Sequence, residues 1–433
     1  MNILFHTLGC KVNQYETQAM MAMAAAAGHD VGEFSPGSEA AATADALVIN
    51  SCTVTAESDR KLRQLLRRCR RDNPNALLVV TGCMPQAFPE QAAALADADI
   101  VMGNADRRAL MDRIQQHLTD SARYVDIPAH GGGYEALSIH HFEGRTRAFV
   151  KIEDGCNRFC SYCIIPYARG RVRSRPLDDL ADELTQLAAG GYHEVVLVGI
   201  NLTAYGQDCG LTICDAVETA CGISGIDRVR LGSLEPDHLT PEVISRLAKQ
   251  EKLCPQFHLS LQSGCDATLR RMNRHYTTAA YAAVCKQLRT AFPGCSLTTD
   301  VMVGFPGEDD DEFEQSLRFV QAIGFFKAHI FAYSRRPGTP AAKAPDQVPQ
   351  KVKAARSRRM ATLCDQERDR QLHALIGTQA EVLLETRTAE GLLEGYTPTY
   401  VPVYCRTDRQ PGDRITCVLT SFGNGVCYGE EVL

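Results

Sequence analysis

The sequence predicts an α/β protein in three parts: an open parallel α/β sheet, a central partial (β/α)6 barrel, and a small all-β barrel. Three observations carry this. Strand-like apolar runs alternate with helical runs through most of the chain, and long crossovers between strands imply parallel sheets. A glycine-bearing stretch, PAHGGGYEA at 128–136, interrupts the alternation once. After about residue 370 the helical runs cease, and only β-like runs with turn residues remain.

The first part is expected over 1–120. NILFHTLG, DALVINS, NALLVVTG and ADIVMGN read as short buried strands, with ETQAMMAMAAAAG and ESDRKLRQLLRRCRRD as helices between them. A linker is expected over 121–141. The second part, 142–370, carries six strand candidates: AFVKIED, EVVLVGI, RVRLGS, QFHLSLQS, LTTDVMVGF and KAHIFAYS. Helical segments such as LDDLADELTQLAAGG and DEFEQSLRFVQAIG lie between them. Six such units suggest a barrel, whose chemistry sits at the carboxyl ends of its strands. The third part, 371–433, has the size of an OB-like barrel.

The 433 residues carry a net charge of −6, so any nucleic-acid surface must be local. The N-terminus MNILFHTLGC lacks the basic and apolar regions of a signal peptide, and AMMAMAAAAG is too short to span a bilayer. A cytoplasmic location is therefore expected. In a reducing compartment the 18 cysteines do not form a disulfide framework, and most read as small buried hydrophobes.

Six cysteines stand apart. Cys156, Cys160 and Cys163 lie in DGCNRFCSYC, directly after the first barrel strand. Structural zinc wants four protein ligands, and CxxxCxxC on one loop is unusual for catalytic zinc. Iron–sulfur cubes are held by thiolates at such short spacings, and three thiolates leave one iron open to a small molecule such as S-adenosylmethionine (SAM). Cys10, Cys52 and Cys83 each end a strand of the first part. In an open parallel sheet those ends share one edge, so three cysteines far apart in sequence are expected to converge. A second tricysteinyl cluster follows, whose open iron could hold an external sulfur.

The CxxxCxxC loop resembles that of the radical SAM superfamily, with Tyr162 matching an aromatic residue that lies near the adenine of SAM. GSLEP (232–236), HLSLQSG (258–264) and DVMVGFPGE (300–308) fit the superfamily's context. The resemblance implies cofactor contacts from Glu235, Gln262, Gly304 and Glu308, with Gly307 beside them. Across nearly the whole chain the sequence is similar to the methylthiotransferase family: an N-terminal methylthiotransferase domain, a radical SAM core and a C-terminal TRAM domain. TLGCKVNQYET (7–17), NSCTVTAESDRK (50–61) and GCNRFCSYCIIPYARGRVRSR (155–175) resemble the branch that forms the 2-methylthio derivative of N6-threonylcarbamoyladenosine at position 37 of tRNA.

That resemblance implies two 4Fe–4S clusters, an auxiliary one on Cys10, Cys52 and Cys83 and a SAM-binding one on Cys156, Cys160 and Cys163. It implies two uses of SAM, as methyl donor and as source of the 5′-deoxyadenosyl radical. The adenine C2–H is not acidic, so a general base would not suffice. An electron donor such as a flavodoxin or ferredoxin, and a sulfur source outside the chain, complete the expectation. Two rivals are methylthiolation of an aspartate on a ribosomal protein and a non-catalytic iron–sulfur protein that binds RNA.

An RNA substrate would present an unstacked base to a pocket. Arg60, Arg63, Arg67 and Arg70 share one face of a helix whose other face is Leu62, Leu65, Leu66 and Cys69. Arg169, Arg171, Arg173 and Arg175 alternate after the cysteine loop and would project to one side of an extended chain. KVKAARSRR (351–359) is a third basic stretch. The last part is acidic: residues 371–433 hold four arginines, no lysine and eight acidic residues, a poor composition for phosphate. Tyr396, Tyr400 and Tyr404 are its aromatic alternatives, either as readers of RNA shape or as filling for the barrel.

Overall fold

The computed structural model describes residues 1–139 and 146–432. The expected boundary between linker and barrel, at 141/142, lies outside the described residues.

The amino-terminal sheet is parallel throughout. In spatial order its strands are Asp30–Glu33, Asn2–Thr7, Ala46–Ser51, Leu77–Gly82, Ile100–Met102 and Tyr124–Asp126. Alternating side chains build a core on each face. Leu47, Ile49, Leu78 and Val80 meet Leu62, Leu65, Leu66 and Cys69 of the helix Ala56–Asp72. Ile3, Phe5, Val48 and Val79 meet Met20 and Met21 of the helix Lys11–Ala26, and Leu110 and Ile114. The four expected strands are present. Two edge strands join them, and Tyr124–Asp126 falls inside the expected linker, where it pairs with Ile100–Met102.

The central part is a parallel half-closed barrel. Arg147–Lys151, Glu194–Val198 and Arg228–Leu231 form one sheet; Ser233–Leu234, Gln256–Gln262, Ser296–Val303 and Lys327–Ala332 form the next. The chain passes from one sheet to the other across Gly232, so six strand positions result, as the six candidates require. No pairing closes the first strand onto the last among the described residues.

A 25-residue helix, Gln350–Ala374, leads to a closed five-stranded barrel over Gln379–Glu431. This helix carries the basic stretch 351–359. Lys353 Nζ donates to Tyr333 O at 2.9 Å, and Arg356 binds Glu308 Oε1 and Asp310 Oδ1, each at 2.7 Å. Those two cations clamp the helix to the barrel and do not face solvent.

The acidic terminal module docks on arginines at the amino ends of the barrel strands. The Arg147 guanidinium lies 5.0 and 5.1 Å from the ring centres of Tyr396 and Tyr400, which stack on each other at 4.8 Å. Arg230 donates to the carbonyls of Thr397 and Pro398 at 2.7 and 2.8 Å. Arg228 pairs with Glu381, and Arg414 with Asp227 at 2.9 Å. The module's acidity is thus partly answered within the molecule. Tyr396 and Tyr400 belong to this seam, while Tyr404 packs edge-on against Tyr428. Among the described residues no helix is long and apolar enough to cross a membrane.

Candidate active site

The strand order places Asn2–Thr7 beside Ala46–Ser51 with their crossovers diverging, a topological switch point where ligands collect at the carboxyl edge. Cys10 caps the helix Lys11–Ala26 just past the first of these strands; Cys52 follows the second; Cys83 opens the helix Cys83–Ala87 after the next. The three meet. A Cβ built on Gly9 would sit 3.1 Å from Cys52 Cβ. Gly82 has φ +102°, and a Cβ there would lie 2.4 Å from Ser51 O, so only glycine lets Cys83 approach its neighbours. Asn13 Oδ1 accepts from Cys10 Sγ at 3.2 Å, while Asn13 Nδ2 donates to Asn50 Oδ1 at 3.1 Å.

The second trio lies on one loop. Phe159 takes φ +50°, and its carbonyl accepts from Asn273 Nδ2 at 3.1 Å. Cys163 N closes a turn onto Cys160 O at 3.0 Å. Arg274 donates to Cys160 Sγ at 3.4 Å and to Glu235 Oε1 at 3.1 Å, so the expected cofactor residue Glu235 stands beside this loop as the partner of an arginine.

Burial, reinforced by Cys83, pushes the Cys52 thiol up to about 12. Burial and Cys160 push Cys156 and Cys163 to about 12 as well. Three thiolates crowded together repel one another unless a cationic centre lies between them. Each trio therefore fits an iron–sulfur cluster with three protein thiolates, and arginine donors already face one sulfur of each.

Arg169 joins the trios. It ends the helix Ile165–Arg169, which starts two residues after Cys163, and its Nε donates to Cys83 Sγ at 3.2 Å. Its guanidinium is fully buried against Glu16 (Nη2 to Oε2 3.0 Å) and Asp154. Arg173 and Arg175 are buried too: Arg173 donates to the carbonyls of Arg169 and Arg171 at 3.0 and 2.9 Å, and Arg175 pairs with Glu183 and with Asp179 at 3.0 Å. The expectation that these arginines project to one side for RNA is corrected, because Ile165–Arg169 is helical and Gly170, at φ +71°, turns the chain. Only Arg171 remains exposed, over Phe159 at 4.7 Å.

On the helix Ala56–Asp72, Arg60 is held by Glu57, Arg63 donates to Gln91 at 3.1 Å, and Arg67 is exposed with no ion pair among the described residues. Arg70 is structural, bonded to Asp99 at 2.6 Å.

Gly304 and Glu308 are also placed differently from expectation. Glu308 Oε1 accepts from Gly304 N at 2.8 Å and from Arg356, so this carboxylate closes the turn. Gly304 gives room to Lys353, whose Cγ would lie 2.4 Å from an added Cβ. Gly307 donates its amide to Asp346 O at 2.8 Å. Tyr162 and Gln262 do line a cavity, of about 220 Å³, together with Cys163, Asp300, Met302 and Phe331.

A larger cavity of about 690 Å³ fills the barrel, with Cys10 and Lys11 among its lining residues. Asp300 and Phe331 border both cavities, which places them side by side between the trios. A depression of about 800 Å³ around Met1, Asp45 and Asp99 lies at the opposite, amino edge of the first sheet and holds none of these cysteines.

The sequence reading missed Lys11, His258, Asp300, Lys327 and His329, all on the barrel cavity. For the last strand the signal was alternation: Lys327, His329 and Phe331 share its exposed face. His258 Nε2 lies 3.2 Å from Asp300 Oδ2, and its ring centre lies 5.8 Å from that of His329. At the cavity floor the Tyr400 phenol resists its own burial: Arg147, Lys11 and Arg230 together lower it below the ordinary tyrosine value.

Comparison with known proteins agrees with this architecture. The radical SAM superfamily profile matches residues 150–320, and the profile of Uncharacterized protein family UPF0004 matches residues 2–103. The threonylcarbamoyladenosine tRNA methylthiotransferase MtaB of Bacillus subtilis is 38% identical over 416 residues, covering 93% of this chain and 89% of the relative. A tRNA-2-methylthio-N(6)-dimethylallyladenosine synthase of Pelotomaculum thermopropionicum is 34% identical, covering 88% and 86%. The solved radical SAM methyltransferase TsrM of Kitasatospora setae shares the fold, with a TM-score of 0.59 at 13% identity over 79% of this chain and 75% of that one. By sequence over nearly its whole length, and by the fold of its core, the chain belongs to the methylthiotransferase family of the radical SAM superfamily.

Proposed function

We propose that this chain places a methylthio group on C2 of N6-threonylcarbamoyladenosine at position 37 of tRNA. The observation that carries the reading is the pair of tricysteinyl sites opening on adjoining cavities, one bordered by Cys10 and the other by Cys163. The names of the MtaB relatives supply the nucleoside. Cys10, Cys52 and Cys83 are assigned to an auxiliary 4Fe–4S cluster, and Cys156, Cys160 and Cys163 to the cluster that binds SAM. Bound there, the clusters and SAM supply radical chemistry and the sulfur to be transferred.

The chain's own residues do the positioning. Arg169 and Arg274 each donate to a cysteine sulfur and steady negative charge on it. Tyr162 and Gln262 border the smaller cavity, where the adenosyl part of SAM is assigned. Met302, Phe331 and Val54 give that space an apolar wall. Arg63, Arg67 and Arg171 are the remaining candidates for RNA phosphate, with Arg60 only after release from Glu57. A flavodoxin or ferredoxin type of electron donor and an external sulfur source complete the reaction, in the cytoplasm where tRNA is found.

The test is mass spectrometry of tRNA nucleosides from cells with and without the gene. Loss of the methylthiolated threonylcarbamoyl nucleoside is expected, with its precursor accumulating. An unchanged level contradicts the reading. Release of 5′-deoxyadenosine by reduced, reconstituted protein separates an enzyme from a non-catalytic iron–sulfur protein.

A further inference from the structure

The barrel cavity has an uneven distribution of charge. Lys11 enters from the helix that Cys10 caps, with Nζ 5.8 Å from the ring centre of Phe149. Lys327 enters from the opposite side, as the first residue of the last barrel strand, in register with Thr298. Both line the cavity, and neither has a carboxylate partner among the described residues. Lys11 and Lys327 are both exposed side chains, and both border this cavity. Asp300 is the acidic residue of the lining, and His258 answers it at 3.2 Å. His329, Cys10 and Tyr400 are the other titratable side chains of the lining, and Tyr400 faces Lys11 from the floor. Two uncompensated ammonium groups in a confined space attract an anion and penalise an apolar occupant.

We propose that Lys11 and Lys327 form a carboxylate-binding subsite that selects an adenine whose N6 substituent ends in an amino-acid carboxylate. This rests on the function proposed above and deepens it. With C2 held where the two cavities adjoin, the N6 arm extends into the barrel cavity, which Lys11 and Lys327 border from opposite sides. A threonylcarbamoyl arm brings a carboxylate to them. A dimethylallyl arm offers the two ammonium groups no counter-ion, and sites built for a polar group reject analogues lacking it.

The experiment uses reconstituted full-length enzyme and anticodon stem-loop RNAs carrying, at position 37, threonylcarbamoyladenosine, its neutral carboxamide analogue, or dimethylallyladenosine. The wild type is expected to show a KM for the carboxamide RNA at least about tenfold above that for the carboxylate RNA, with kcat changed far less. Lys327→Met should raise KM for the carboxylate RNA alone and erase the preference, and Lys327→Arg should restore it. Equal KM for carboxylate and carboxamide RNAs in the wild type overturns the inference while leaving the proposed function standing. So does a Lys327→Met enzyme that weakens all three RNAs alike, which would mark a phosphate contact. No methylthio product on any of the three RNAs, with the clusters in place, overturns the function and the inference together.

Discussion

Arg169 illustrates how much a single side chain can connect. It reaches Glu16 and Asp154 through its terminal nitrogens and Cys83 through Nε, all out of contact with solvent. Arg107 and Lys151 bind the same Glu16, at 2.8 and 3.1 Å. Removing one member of such a group strands the others in low dielectric. Arg169→Met should therefore cost about 3–5 kcal/mol in urea unfolding, while Arg60→Met at the surface should leave the unfolding midpoint nearly unchanged. The same network sets a pH limit. Burial opposes charge on Glu16, but Arg107, Arg169 and Lys151 prevail and hold its pKa down to about 2. A depressed carboxylate stabilises the fold above its unfolded pKa of about 4.3, and that contribution fades as pH falls toward 2. Denaturant titrations from pH 6 to pH 2 should find the wild type losing about 3 kcal/mol more than Glu16→Gln over this interval. None of this was legible in the sequence, where Arg169 read as one of four alternating arginines. Alternation says which way side chains point only if the backbone is extended, and here a helix and Gly170 intervene.

At the scale of elements the sequence was more informative, because cysteine positions relative to strands are set by local pattern. Strand runs ending in GC, SC and GC put the first trio on one edge, and the structure brings them together there. The iron content of anaerobically reconstituted protein should be about eight per chain, falling to about four when Cys10, Cys52 and Cys83 are all alanine. Gly82→Ala should lose iron in the same way with every cysteine intact. Its φ of +102° and the 2.4 Å approach to Ser51 O force the strand end to shift, and Cys83 with it. An unchanged iron count in that variant would show that the edge tolerates the displacement. The edge strands Asp30–Glu33 and Tyr124–Asp126 escaped notice because four and three residues carry too little apolar pattern. Pairing with a neighbour makes them strands. The turn around Gly304 and Glu308 escaped for another reason: its carboxylate is satisfied by Arg356, distant in sequence, which no local pattern announces.

The whole molecule is organised around buried charge at its seams. Asp59 of the first part is locked to Arg336 of the barrel region at 2.7 Å, and Glu194 is shared by Arg228 and Arg230 beneath the terminal module, at 3.3 and 2.6 Å. The composition revealed an acidic last domain but not its partner. Truncation after Ala374 would uncover Arg147, Arg228 and Arg230 and open the floor of the barrel cavity at Tyr400. The truncated chain should melt at markedly lower temperature in circular dichroism, a loss that weakened RNA binding alone would not cause. The central claim concerns the whole assembly, two tricysteinyl sites serving adjoining cavities. It is tested most directly by incubating reduced, reconstituted enzyme with SAM, sulfide and a stem-loop RNA bearing threonylcarbamoyladenosine, and analysing the digested RNA by mass spectrometry. The account predicts a methylthio group on that nucleoside together with 5′-deoxyadenosine. Release of 5′-deoxyadenosine with the nucleoside unchanged, from protein holding its full iron, would contradict it.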